Sequence, residues 1–159
     1  MGITWILCAN RSRARLFEVK PHADTPTEVA DFANPAGRTH ERDLRSDAAG
    51  RVYGAGGHQQ AHAASGSDSA TLGEHETEKF AESLRDYLVQ AHTGQRFGQL
   101  WVAAAPAFLG ILRHKLTKEV AHTVEFELDK DFTEQAPRDI FRHLIQARGE
   151  HAGKGASGA

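Results

Sequence analysis

Gln99-Leu100-Trp101-Val102-Ala103-Ala104-Ala105-Pro106 reads as a strand that turns directly into a helix, and that junction decides the fold class. The run from Leu100 to Ala105 is unbroken apolar sequence, the pattern of a strand buried on both faces. Pro106 suits the first turn of a helix, where its missing N–H costs nothing, and Phe108, Leu109, Leu112 and Leu116 follow at helical spacing. A strand feeding a helix in this way implies parallel pairing and helices laid on a sheet. Downstream, Val120 to Leu128 alternates through Val120, His122, Val124, Phe126 and Leu128, which predicts a fifth strand joined by a right-handed parallel crossover. Thr133 is expected to cap a final helix over Ala136 to Ala147, with Ile140, Phe141, Leu144 and Ile145 facing the sheet. The small-residue tail from Gly149 to Ala159 is expected to be disordered.

Upstream, Thr77, Phe80, Ala81, Leu84, Leu88 and Ala91 recur at helical spacing, predicting a long helix from Gly73 to about Thr93-Gly94. Glu74, Glu76 and Glu78 would then sit in its first turns, where carboxylates complement the helix dipole. The chain opens with Ile3 to Ala9, another apolar run and the expected central strand. Asn10-Arg11-Ser12 supplies a turn, Arg13 to Lys20 a returning hairpin strand, and Thr27 to Phe32 a weaker edge strand. Three antiparallel strands followed by helix, strand, helix, strand, helix predict an α/β, ribonuclease-H-like three-layer fold on a mixed five-stranded sheet. Residues 1–148 read as a single domain.

Between the third strand and the long helix, residues 34–72 show no period and are expected to form a long loop. At its centre lies Gly50-Arg51-Val52-Tyr53-Gly54-Ala55-Gly56-Gly57-His58-Gln59-Gln60. Glycines there allow close approach of the backbone to another molecule. Arg38, Arg42, Arg45 and Arg51 surround them, partly offset by Glu41, Asp43 and Asp47.

Composition narrows the classes of function. A chain of 159 residues, 40% hydrophobic and 25% charged, is long enough to bury a core without disulfides. Its single cysteine, Cys8, lies in an apolar strand and reads as a buried thiol. A net charge of −2 argues against gripping nucleic acid by neutralising many phosphates, so any such contact must be local. No apolar run is long enough to span a bilayer, and arginines at positions 11, 13 and 15 interrupt any signal-like segment, so a cytoplasmic location is expected.

Three chemistries lack their residues. A two-metal nuclease needs acids at the ends of the first and fourth strands, where Cys8-Ala9-Asn10 and Ala104-Ala105-Pro106 stand. Zinc is weakly suggested by His58, His62 and His75, but Lys79 occupies the position a helical His-Glu-x-x-His site would require, and neither metal nor cofactor is expected. A phosphate loop would follow its glycines with Gly-Lys-Ser or Gly-Lys-Thr, whereas this chain has Gly57-His58-Gln59. What remains is a glycine loop beside a glutamine amide, a combination able to arrange donors around a water and an ester carbonyl.

Several words in order, Arg13-Ala14-Arg15-Leu16-Phe17, Asn34-Pro35 through Arg42-Asp43-Leu44, Ser46-Asp47 through Gly50-Arg51, the glycine loop, Glu74-His75-Glu76 with Phe80, Ala105-Pro106 with Phe108-Leu109-Gly110, and Leu128-Asp129-Lys130-Asp131-Phe132-Thr133, resemble the bacterial proteins required for attachment to host cells. That family looks like a bacterial branch of the archaeal and eukaryotic release factors. The resemblance implies the fold of their central domain, whose Gly-Gly-Gln loop promotes peptidyl-tRNA hydrolysis on the ribosome. Gly56-Gly57 is here followed by His58, with Gln59 one place late. On this likeness Gln59 is the candidate catalytic residue, and Arg38, Arg42, Arg45, Arg51, Gly54, Gly56, Gly57, His58 and Gln60 the candidate contacts to RNA or to a partner. Two functions follow: a translation-associated factor acting at a ribosome or tRNA site, by rescue, dormancy or hydrolysis, or a non-enzymatic factor whose loop docks a protein partner during attachment.

Overall fold

In the computed structural model, which describes residues 2–37 and 59–156, the central element is β1 (Thr4–Ala9). From Trp5 to Ala9 its residues are fully buried, because both faces of the strand are covered. β2 (Arg13–Val19) returns antiparallel beside it, β3 (Thr27–Ala33) pairs antiparallel with β2, and β4 (Gln99–Ala104) and β5 (Val124–Leu128) extend the other side in parallel. The order is β3-β2-β1-β4-β5, an open mixed sheet.

Strand alternation divides the core. Trp5, Leu7 and Ala9 point to one face, where Phe80, Ala81, Leu84, Leu88 and Ala91 of helix α1 (Gln59–Thr93) and Phe108, Leu109 and Leu112 of α2 (Pro106–Lys115) pack against them. Ile6 and Cys8 point to the other, under Ile140 and Leu144 of the last helix, α4 (Pro137–Ala156). The expected stripe on α1 and the expected strand-to-helix junction at Pro106 are both present. Burial pushes the Cys8 thiol up to about 12, so it stays protonated and inert at neutral pH.

Five expectations are corrected. Helix α1 begins at Gln59, not Gly73, so the part of the expected loop from residue 59 onward is helical, while residues 38–58 lie outside the described residues. Ala61, Ala63, Ala64 and Ala70 favour a helix but add no large apolar side chain, so the extra turns carry no stripe to read. Glu74, Glu76 and Glu78 therefore lie well inside α1 and make no first-turn dipole contacts; Glu78 and Glu82 instead reach Lys115 of α2, at 3.8 and 3.0 Å. Residues Lys118–Thr123 form a short helix, α3, and not the start of the fifth strand, because the Thr117 side chain accepts a hydrogen bond from the Val120 amide and caps it. Thr133 caps no helix: its hydroxyl donates to Asp131, and α4 starts later, at Pro137. Finally, α4 continues to Ala156, so the expected disordered tail is helical over 149–156; Arg148 pairs with Glu125 of β5, and the His151 ring stands edge-on to Phe126.

At 35 residues α1 is about 50 Å long at 1.5 Å per residue, against roughly 20 Å for a six-residue strand. It overhangs the sheet. Leu72, just before its packed stretch, is 62% exposed.

Candidate functional site

β1, β3, β4 and β5 all end at one edge of the sheet, and the chain enters residues 38–58 from there. In open α/β sheets the carboxyl ends of the strands are the usual place for ligands. Asn10 organises this edge. Its side-chain oxygen accepts hydrogen bonds from the Ser12 amide at 2.8 Å, the Ser12 hydroxyl at 2.9 Å and the Arg13 amide at 2.8 Å, which folds the β1–β2 turn. Its Nδ2 donates to Asp131 at 2.8 Å and to the Thr133 hydroxyl at 3.1 Å, tying that turn to the loop after β5.

The exit of β3 is fixed against the same turn. The Asn34 amide donates to the Ser12 carbonyl and its Nδ2 to the Arg11 carbonyl, both at 2.8 Å. The Gly37 amide closes the bend on the Asn34 carbonyl at 3.0 Å, and a Cβ at position 37 would lie only 2.1 Å from the Arg11 oxygen. Only glycine permits that approach. At the end of β4, the Ala105 amide donates to the Ala9 carbonyl at 3.1 Å, bringing the start of α2 to the same edge.

Two arginines of β2 brace the loop after β5. Arg15, only 8% exposed, sets its guanidinium in two bonds on Glu28, at 2.9 and 3.0 Å, and donates through Nη1 to the Thr133 and Gln135 carbonyls at 3.0 and 2.7 Å. It also lies over the Phe17 ring, 4.9 Å from its centroid. Arg13 grips Asp31 at 3.2 and 2.9 Å and adds a third bond to the Thr133 carbonyl at 3.3 Å. Beneath them, His143 Nδ1 and the Gln135 side-chain oxygen are 2.7 Å apart.

Electrostatics follow the geometry. The hydrogen bond from Arg13 holds the Asp31 carboxyl below its ordinary value, and the bonds to Asp31 and Glu28 raise the pKa values of Arg13 and Arg15. A carboxyl whose folded pKa is depressed stabilises the fold above its unfolded pKa of about 3.9 and loses that contribution as pH falls through the folded value. Stability is therefore expected to fall below about pH 4 less steeply in Asp31→Asn than in the parent. The difference is under about 1 kcal/mol, because the pair is part-exposed. Acid titration of the two melting curves checks this; identical acid limbs would remove the pair from the account.

Of the residues singled out from sequence, Gln59 and Gln60 open α1, while Arg38, Arg42, Arg45, Arg51, Gly54, Gly56, Gly57 and His58 lie outside the described residues. The described part of the edge is built instead by Asn10, Arg13, Arg15, Asp131 and Thr133. In the sequence Asn10 reads only as a turn residue and Asp131 only as part of the Leu128–Thr133 stretch; their contact joins ends of the chain that no local pattern relates. Two open hollows, of about 390 and 330 Å³, lie around Gly2 at the opposite edge of the sheet.

A family model described as "Protein required for attachment to host cells" matches residues 5–144, from β1 into the first turns of α4. The chain belongs to this family. Membership spans every strand and every loop of the carboxyl edge, so the Asn10, Arg15 and Thr133 brace falls within the family's domain. No curated protein matches the chain. No described helix of this attachment-family member is long and apolar enough to cross a membrane.

Proposed function

We propose that the protein serves attachment to host cells as a non-catalytic binding factor, presenting residues 38–58 to a protein partner from the carboxyl edge of its sheet. The family description supports the attachment role. The observation that carries the non-catalytic reading is the commitment of the edge's polar side chains. Asn10, Arg13, Arg15, Asp131 and Thr133 each bond to a neighbouring loop or strand and brace the point where the chain enters that segment. Arg38, Arg42, Arg45, Arg51, His58 and Gln60 then supply donors to the partner, and Gly54, Gly56 and Gly57 allow its close approach.

A strain lacking the protein provides the test. Complementation with Arg42→Ala/Arg45→Ala/Arg51→Ala is expected to restore attachment to a small fraction of the parental level, with an unchanged melting temperature. Attachment equal to the parent's overturns the assignment.

The start of α1 favours a second reading. Gly56-Gly57-His58 stands immediately before a 35-residue helix. The strand order β3-β2-β1-β4-β5, with β2 reversed, also suits a ribonuclease-H-like three-layer arrangement such as the release-factor likeness implies. In that reading the protein works in the cytoplasm, its loop occupies a ribosomal or tRNA site, and Gln59 is the candidate hydrolytic amide. Sedimentation with 70S ribosomes over a salt series separates the two, since phosphate contacts are strongest at low salt. Absence of co-sedimentation there removes the ribosome, and equal peptide release by Gln59→Ala and parent removes catalysis by Gln59.

A further inference from the structure

We infer that the hollow between the β2–β3 turn and α4 binds an aromatic carboxylate. It lies at the opposite edge of the sheet from Asn10 and Asp131 and does not rest on the attachment reading. Its volume, about 330 Å³, is at the small end of ligand sites, enough for a single ring and a short acid arm.

The walls are flat and apolar. Val19, Pro21, Trp101 and Phe141 line them, and the Trp101 and Phe141 rings are nearly parallel, 10° apart with centroids at 6.3 Å. Trp101, itself only 5% exposed, is fixed in place: its indole N–H donates to Glu125 at 2.9 Å, and the Arg148 guanidinium lies over its ring at 5.2 Å, which leaves the Phe141 ring as the more open part of the wall. A fixed aromatic wall takes another ring with little ordering cost.

The rim carries a lysine and a histidine. Lys20 and His22 line the same hollow, both exposed, and among the described residues neither is in an ion pair. Asp24, the acid of that turn, accepts from the Thr25 hydroxyl at 3.2 Å and pairs with Arg138 at 4.0 Å, and does not line the hollow. His22 sits in the left-handed region, with φ at 66°, a conformation that histidine adopts more readily than most residues in a turn. An aryl ring seated against Trp101 and Phe141 leaves its carboxylate beside Lys20 and His22. That chemistry is offered equally by a free arylalkanoic acid and by a protein chain ending in an aromatic residue.

The two tryptophans make the test selective, because Trp5 is buried in the core on the other face of the sheet, its indole N–H near Glu18. In nitrogen-resolved NMR of the full chain, titration with 3-phenylpropionate, and separately with a tripeptide ending in free phenylalanine, is expected to move the Trp101 indole signal saturably and leave that of Trp5 in place. Saturation by the free acid points to a small metabolite, and saturation by the tripeptide alone to a chain terminus. Lys20→Glu is expected to weaken binding about fivefold or more, while the same charge change at Lys118, on α3, leaves it unchanged. No saturable movement with either probe, or equal affinity in Lys20→Glu and parent, overturns the proposal.

Discussion

Replacing Arg15 by methionine is expected to lower stability by about 2–3 kcal/mol, seen as a fall in melting temperature of about 5–10 °C. Methionine keeps most of the volume and the contact with Phe17, so the loss reports the guanidinium. Without it, the Gln135 carbonyl loses its Arg15 donor, the Thr133 carbonyl keeps only the 3.3 Å bond from Arg13, and Glu28 is left partly buried with no cation. Glu28 is about one-third exposed, which keeps the cost below that of breaking a fully buried pair. Arg15→Met/Glu28→Leu is expected to recover part of the loss, because the unpaired carboxylate is gone. A melting temperature within 2 °C of the parent's would show that Arg15 does not hold the loop after β5.

Gly37→Ala comes next in size. Its new Cβ would lie 2.1 Å from the Arg11 oxygen and 2.8 Å from the Arg11 carbonyl carbon, both backbone atoms that cannot rotate away. The bend must move, and with it the Asn34 bonds that dock it on the β1–β2 turn. A cost of about 2 kcal/mol, or about 4–8 °C, is expected. The same variant should impair attachment beyond what its stability explains, since Gly37 is the last described residue before the segment proposed to meet the partner. Comparison with a core variant of matched melting temperature checks this; equal attachment by the two would limit Gly37 to a structural role.

What was legible in the sequence was whatever a period encodes. β1 and β4 showed as apolar runs, the Phe80–Ala91 stripe gave the packed part of α1, and Pro106 marked the start of α2. The first turns of α1 were hidden because alanine favours a helix without marking a face. At 118–123, an alternation through Val120 and His122 imitated a strand, and the Thr117 cap, a single hydrogen bond, decided otherwise. The carboxyl edge was hardest to see. Its defining bonds join side chains of the β1–β2 turn and of β2 to Asp131 and to backbone carbonyls more than a hundred residues later, which no local pattern records.

The position of β1 also has a consequence for the order in which the chain acquires its shape. On one side it pairs with β2, which follows at once; on the other it pairs with β4, register Thr4 to Gln99, from the second half of the chain. During synthesis the meander β1-β2-β3 emerges first, and Trp5 and Leu7 have no cover until the stretch from Phe80 to Ala104 leaves the exit tunnel. Closure of the sheet is therefore a late, long-range event of the slow kind. Until then the nascent protein carries an open apolar face, the natural target of a chaperone that holds chains still being made.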